Sequence, residues 1–555
     1  MILTKKKLPI IRPEYIFPLL AAASLLISCI LISNKKYFWN DELYSYYLLA
    51  DQSFVHMLTA FHDKINNTPF LYFLIGWLWT RIFGSSELSL RIFSSLGCCI
   101  ASLAVWITLR RTYSLIPTSI GVFTVFCTSN LILYQNSEAR MYGLFLAVCS
   151  FGLLQYDLLN RNIKSTRRSL FLNVCIHAAI IHTHLFGLFY SGAILLAQIV
   201  GDFYRKIFKF EIYTSIALGM LSIIFYIPSF LNQADVGKPR TWLPIPGFKD
   251  LTDFLGLTSS PFFNTLIFIL LVTVTGLQFI LYSKKESDDP QKHMNHQEKL
   301  YLLLLAYCFL FVPVIVWTIS RTIKPIFIDR YMIPTAIGWS ILLTHFCSHI
   351  LQTNTPVGLS GASTLYAVFR STKRQILLLL LFIYLLLYPI KFSISYDSQS
   401  RWGLDDNKYG YQDLPIVLQF SGRFMPTFHY SSNRERYFFI LDWQAAVDEN
   451  SGSFSPQEYK HLDAFRRIYP ELFQKNIVAS EDFLEKHSRF LVVSDNLNTG
   501  ENCPLQVIGL EKYNKWEDFQ CPQWLKREIL SNPKYKVKSI GTQPIEKIFL
   551  VEKQL

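Results

Sequence analysis

The sequence predicts a polytopic α-helical membrane protein with an α/β domain at its C-terminal end. Three observations carry that prediction. Of 555 residues, 51% are hydrophobic and only 17% charged, with a mean hydropathy of +0.26, which excludes a disordered chain and an ordinary soluble enzyme. About eleven apolar runs near spanning length recur up to residue 392. Beyond them, short apolar segments of strand length alternate with amphipathic ones.

The first run, Tyr15–Ile32, follows Lys5, Lys6, Lys7 and Arg12. It is longer than a signal-peptide core and no small-residue cleavage site follows, so it reads as an uncleaved first helix with its N-terminus inside. Further spans are expected at Ile92–Leu109, Leu115–Tyr134, Tyr142–Leu159, Leu170–His184, Phe186–Val200, Tyr213–Leu231, Thr265–Tyr282, Leu300–Ile319, Ile333–Leu351 and Ile376–Phe392. The run Thr68–Gly84 is short and holds Arg81. If it does not cross, the clusters at Arg110, Arg161, Arg205, Lys284 and Arg370 all fall inside. If it crosses, all fall outside, against the positive-inside bias. It is therefore expected to be a juxtamembrane helix on the outer face, within a first outer loop spanning residues 34–91.

Residues 1–392 are thus expected to form a transmembrane domain and residues 393–555 a soluble one on the outer, periplasmic side of a cell (inner) membrane. In the tail, "PIVLQF", "YFFILDW", "RFLVVSD" and "KIFLVE" have strand character, and "SPQEYKHLDAFRRIYPELF" and "CPQWLKREIL" helical character. Eight of the ten cysteines lie in apolar runs as small hydrophobes. Cys503 and Cys521 lie in the tail, either as two free thiols or as a disulfide worth roughly 3 kcal/mol. The net charge of +13 does not point to nucleic acid, because no basic soluble stretch is interleaved with aromatics.

The polar residues left outside cluster at helix ends. They are Asp41 and Glu42 in "FWNDELYSYY", Arg91, Glu138 and Arg140 in "YQNSEARMY", His182 and His184 in "IHTHLFG", Arg240, and Lys324, Asp329, Arg330 and Tyr331 in "IKPIFIDRYMIP". Each has a bland reading. The acids can be a solvated step, of which at most one is expected to act, since neighbours do not face the same way. The arginines can snorkel to headgroups, the histidines can be satisfied at an interface, and the aromatics can form a membrane-interface belt. Their recurrence on one side favours a shared cavity instead.

The chemistry this suggests is transfer from a lipid phosphate. Arginine holds the phosphate and stabilises the leaving group, an apolar groove takes the polyprenyl tail, and one carboxylate serves the acceptor hydroxyl. A direct displacement with inversion needs one such base.

"NDELYSYYLLA", "NNTPFLYFLIGWLWTRIFGSSELSLRIFSSL", "YQNSEARMYGLFLAV", "THLFGLF" and "DRYMIP" together resemble, in order, the membrane glycosyltransferases of the GT-C superfamily. The nearest branch contains protein O-mannosyltransferases and the bacterial lipid A aminoarabinose transferase. The resemblance covers roughly Tyr15 to Leu343 and implies an inverting transferase that moves a sugar from a polyprenyl-phosphate carrier to a lipid, glycan or protein acceptor at the outer face. It implies Asp41 as the acid that deprotonates or orients the acceptor, with Glu42 second. It places Arg91 near the carrier phosphate and Glu138, Arg140 and Tyr142 in a turn at the site. Ser137 stands there in place of the usual Gln. Arg330 and Tyr331 match an Arg-Tyr pair on phosphate or sugar, and His182 and His184 match loosely. "NNTPFLYF" lacks the Lys of the aminoarabinose enzymes, and the β-trefoil insert of eukaryotic mannosyltransferases is absent. No cofactor is required; the adjacent carboxylates can bind a divalent ion, but the resemblance does not imply one.

Two rivals from other classes use the same residues. A lipid-linked sugar flippase would bind phosphate with the outer arginines and also need an inward-facing gate. A non-catalytic assembly factor would use the tail for binding and would not need Asp41. A ligase using a pyrophosphate-linked glycan is the neighbouring enzyme reading.

Overall fold

Long apolar runs satisfy their own backbone only as helices when water is absent, and the chain follows that rule. The computed structural model describes residues 13–161, 165–237, 243, 245–254, 256–258, 260–283, 290–353, 372–398, 411–443, 455–495, 524–543 and 546–554. The helices are α1 (Ile16–Ser33), α2 (Asn40–Leu49), α3 (Phe54–His62), α4 (Leu71–Phe83), α5 (Glu87–Arg110), α6 (Leu115–Thr128), α7 (Asn130–Asn136), α8 (Tyr142–Arg161), α9 (Arg167–Thr183), α10 (Gly187–Arg205), α11 (Phe210–Leu221), α12 (Ile227–Ala234), α13 (Phe248–Asp253), α14 (Pro261–Ser283), α15 (Pro290–Thr322), α16 (Thr335–Thr353) and α17 (Thr372–Ser395).

Every run expected to span is helical, but the count differs. Among the described residues eight helices are long and apolar enough to cross a membrane, or nine if α6 and α7, bent by 63°, make one span. The remaining two of the eleven are shorter. Helix α9 has 17 residues, opens on Arg167 and Arg168, and buries Asn173 and His177, while the apolar stretch of α16, Thr335–Leu351, is likewise short. Helix α4, from the ambiguous run, has 13 residues, roughly 20 Å against a core of roughly 30 Å.

Helices α1, α5 and α8 form the centre. A Cβ on Gly97 would lie 2.2 Å from the Gly143 carbonyl carbon, and one on Gly143 2.0 Å from the Ser94 oxygen. Two glycines therefore let α5 and α8 touch backbone to backbone, the close approach small residues give membrane helices. The bundle's two ends differ. Arg110 pairs with Glu14 at one end, as does Arg161 with Asp157; Asp41, Arg91 and Tyr142 lie at the other.

At that second end sits the tail domain, with strands β1 (Ile416–Leu418), β2 (Tyr437–Leu441), β3 (Ile477–Ala479), β4 (Arg489–Asp495), β5 (Tyr535–Gln543) and β6 (Glu546–Lys553) in the order β3-β2-β1-β4-β6-β5. The first four pair in parallel, with Val417 opposite Val492 and Phe439 opposite Ile477. β6 pairs antiparallel to β4 and β5. Parallel neighbours need crossovers, which α18 (Ser421–Tyr430), α19 (Ser455–Ile468) and α20 (Ser480–Lys486) supply. Side chains alternate between faces. Val417, Ile440 and Val492 pack with Trp524 in one core, while Ile416, Leu418 and Leu491 join a second core continuous with the membrane helices. Cys503 and Cys521 lie outside the described residues.

The join is aromatic. The Tyr44 ring lies 5.0 Å from His461 and 5.4 Å from Phe465, and Tyr47 lies 5.2 Å from Phe473. The aromatics of "FWNDELYSYY", expected as a membrane-interface belt, chiefly seat the tail domain, because α18 and α19 cover that face of α2. Burying each such ring contributes roughly 2 kcal/mol.

Candidate active site

Asp41 and Glu42 occupy the first turn of α2, where carboxylates complement the helix dipole. Successive helical residues point about 100° apart, and here they part completely. Glu42 turns inward and is fully buried. Its two oxygens accept from Nε and Nη2 of Arg91, each at 2.9 Å, and Oε1 also accepts from the Ala139 N–H at 2.8 Å. Burial opposes its ionisation, but Arg91 and Lys36 hold its carboxyl below the usual range.

Neither residue of this pair offers a free polar atom to a cavity. Glu42, the second choice for an acid acting on the acceptor, has no free oxygen facing a cavity. Arg91, expected at the carrier phosphate, is fully buried and also donates to the Lys36 carbonyl at 2.7 Å. An arginine so placed cannot reach a ligand without abandoning a buried charge, which is costly.

Asp41 faces the other way. Its Oδ2 lies 3.0 Å from Nη2 of Arg330 and 3.9 Å from Nη2 of Arg140. Arg140 is fixed by donating to the Asp41 carbonyl at 2.8 Å and the Ser45 hydroxyl at 2.9 Å. The Arg330 guanidinium sits over the Trp39 ring at 5.6 Å and the Tyr142 ring at 5.8 Å. Behind it Tyr142 stacks on Tyr331 at 6.2 Å, and His184 lies 4.6 Å from Tyr331. His184 Nδ1 accepts from the Phe186 N–H at 3.2 Å.

Two cavities border Arg330, and Asp41 lines one of them. One, of about 460 Å³, lies beneath the tail domain. Trp39, Asp41, Tyr44, Arg140 and Arg330 form its floor, and Phe420, Gln457, Glu458 and His461 its roof. The other, of about 790 Å³, is walled by Tyr134, Glu138, Phe254, Phe327 and Asp329, with Arg330 again. Arg330 therefore belongs to both walls. Two acids of the larger cavity are already used: Asp250 accepts from the Gly247 N–H and Asp253 from the Asn264 amide.

Of the expected residues, Asp41, Arg140, Tyr142, His184, Arg330 and Tyr331 come together. Glu138 lines the larger cavity while paired with Lys36 and the Trp39 indole. His182 is turned away, its Nε2 3.1 Å from the Ser222 carbonyl. Two positions separate it from His184, and α9 ends between them. Arg240 lies outside the described residues. Sequence reasoning missed the roof. Glu458 and His461 sit on an amphipathic helix whose cavity-facing side only its docking defines. Among the described residues no three His, Cys, Asp or Glu side chains are grouped to hold a metal ion.

The fold has a counterpart among solved structures. The crystal structure of ArnT from Cupriavidus metallidurans bound to undecaprenyl phosphate overlays it with a TM-score of 0.51 at 11% identity, covering 97% of each chain. An oligosaccharyltransferase from Archaeoglobus fulgidus, solved with zinc and sulfate, covers 86% of this chain and 68% of its own at 13% identity, with a TM-score of 0.39 too low to carry weight. No family model matches the sequence, and no curated protein matches it either.

Proposed function

We propose that the protein is an inverting glycosyltransferase that moves a sugar from a polyprenyl-phosphate carrier to an acceptor at the outer face of the cell (inner) membrane, with its N-terminus inside and its tail domain outside. The observation that carries this reading is that Arg330, paired with Asp41 in the smaller cavity, also lines the larger one. One substrate approaching from each side would meet there. The fold supports a lipid-linked donor, since ArnT, which shares it, was solved with undecaprenyl phosphate.

In this reading the donor enters the larger cavity, among Leu131, Tyr134 and Phe327, and its phosphate takes over the guanidinium groups of Arg330 and Arg140. Charge-assisted bonds from arginine are the strong ones and stabilise the leaving phosphate as the glycosidic bond breaks. The acceptor enters the smaller cavity beneath the tail domain. Asp41, released by Arg330, accepts the hydrogen bond of the acceptor hydroxyl and orients it for in-line attack. Glu42 and Arg91 position α2 against the turn at Ala139. No step requires a cofactor or a divalent ion.

The test is transfer by protein purified into bilayer nanodiscs, given radiolabelled polyprenyl-phosphate hexoses and pentoses with a membrane extract as acceptor. The reading expects label to leave the carrier and appear in the acceptor. Binding and translocation of labelled lipid without transfer would favour the flippase, and transfer only from pyrophosphate-linked glycan the ligase.

A further inference from the structure

The smaller cavity holds a second carboxylate that the reaction as outlined does not use. Glu458, in the first turn of α19, lines it opposite Asp41. The two differ in one respect. Asp41 is engaged by Arg330 at 3.0 Å. Glu458 has no ion-pair partner among the described residues; it is bonded to Ser421, whose N–H reaches Oε2 at 3.4 Å and whose hydroxyl also faces the carboxylate. The titratable and charged groups around it are Asp41 and Tyr44 on α2, Arg140 and Arg330 across the cavity, and His461 on its own helix. His461 is itself occupied, with Nδ1 2.6 Å from the Lys64 carbonyl, and burial pushes its imidazole down to about 4.

The same wall offers polar atoms with nothing to bond. The Tyr44 hydroxyl and Asn40 Oδ1 are buried without a hydrogen-bond partner among the described residues, and Asn40 Nδ2 reaches the Ser421 hydroxyl at 3.4 Å. Asn40, Ser421 and Glu458 thus form a polar line from the residue before Asp41 to the roof. Orphaned polar atoms are rare in folded proteins because each costs about 1–3 kcal/mol. Two of them, the Tyr44 hydroxyl and Asn40 Oδ1, beside a carboxylate with no ion-pair partner point to where the hydroxyls of a ligand would lie. Burial also pushes the Glu458 carboxyl up to about 7, the range in which a general base works best near neutrality.

We infer that Glu458, supplied by the tail domain, is the general base of the reaction, taking the proton that the acceptor hydroxyl loses while Asp41 orients that hydroxyl. This rests on the transferase reading above. In the step, the acceptor oxygen bonds to the anomeric carbon and the carbon–oxygen bond to phosphate breaks, its electron pair leaving with the phosphate. The hydroxyl proton passes to the Glu458 carboxylate, which later returns it to water. The tail domain is then part of the catalytic apparatus, and its docking closes the site.

The test uses full-length protein in nanodiscs with the donors and extract named above. For the wild type kcat/KM should rise with pH to a plateau near neutrality, because the base acts only when ionised. E458Q, nearly isosteric, should lose about 100-fold and the rising limb with it, with donor binding retained and the melting temperature not lowered. E458D should recover a rising limb at a reduced rate, which a merely structural role would not produce. Infrared difference spectra of the apo protein should show one carboxyl titrating near neutrality that E458Q lacks. An active wild type and inactive D41N, together with E458Q matching the wild type in rate and pH profile, would overturn the inference and leave the transferase reading standing. A wild type silent with every donor would overturn that reading and the inference with it.

Discussion

Arg91 grips Glu42 with two parallel hydrogen bonds of 2.9 Å, and neither side chain exposes any surface. The pair ties α5 to the first turn of α2 and, through the Ala139 N–H, to the turn before α8. It thereby sets the direction in which Asp41, one residue earlier, must point.

Breaking the pair should therefore damage the fold before it damages the chemistry. Glu42→Gln should cost about 3–5 kcal/mol by leaving a buried guanidinium uncompensated. Arg91→Lys should also destabilise, since an ammonium cannot reproduce the fork. Thermal unfolding in detergent reads this directly. A Glu42→Gln protein that melts like the wild type would show that the pair is dispensable.

Arg330 should matter to the donor and little to stability, because its guanidinium borders both cavities. Removing a charged hydrogen-bond donor costs about 1.5–3 kcal/mol, so Arg330→Ala should weaken binding of labelled polyprenyl phosphate about 10- to 100-fold. Unchanged affinity would move the phosphate elsewhere.

Glu458 gives stability a pH signature. Its folded carboxyl is raised to about 7 from the ordinary 4.5, so between those values the folded state holds a proton the unfolded state has lost. Stability should be fully present below about pH 4.5 and fall as pH rises toward 7. Glu458→Gln should remove that fall, gaining on the order of 2 kcal/mol over wild type at pH 8 and nothing near pH 4. Melting curves across that range, compared between the two proteins, decide it.

Gly143 is a packing test. Gly143→Val would drive side-chain atoms into the Ser94 carbonyl and part α5 from α8, whose outer ends carry Arg91 and Tyr142. Yield of folded protein should drop sharply, while Gly192→Ala, with nothing within 4 Å of the added carbon, should be tolerated. Size-exclusion profiles after extraction compare the two.

The parts of the fold legible in the sequence are those written in local periodicity. Apolar runs became helices, and "RFLVVSD" and "KIFLVE" became paired strands, because burial of one continuous or alternating face needs no knowledge of the partner. The candidate site was legible in the recurrence of Asp41, Arg140 and Arg330 on one side of the membrane, and the fold brings these three together. The division of labour between Asp41 and Glu42 was not, since it depends on Arg91, 49 positions on, claiming one of them. His182 and His184 look alike in sequence and part only because α9 ends between them. Glu458 reads as one more solvated charge in "SPQEYKHLDAFRRI"; only the docking of α19 onto α2 puts it over the cavity.

The central claim is that Asp41 serves the acceptor beside Arg330, which borders both cavities. It is tested most directly by comparing Asp41→Asn with the wild type in nanodiscs, measuring transfer of labelled sugar and, separately, binding of the polyprenyl-phosphate donor. Asp41→Asn should keep donor binding and lose transfer by at least about 100-fold. Donor consumption and acceptor labelling at the wild-type rate in Asp41→Asn would contradict the claim.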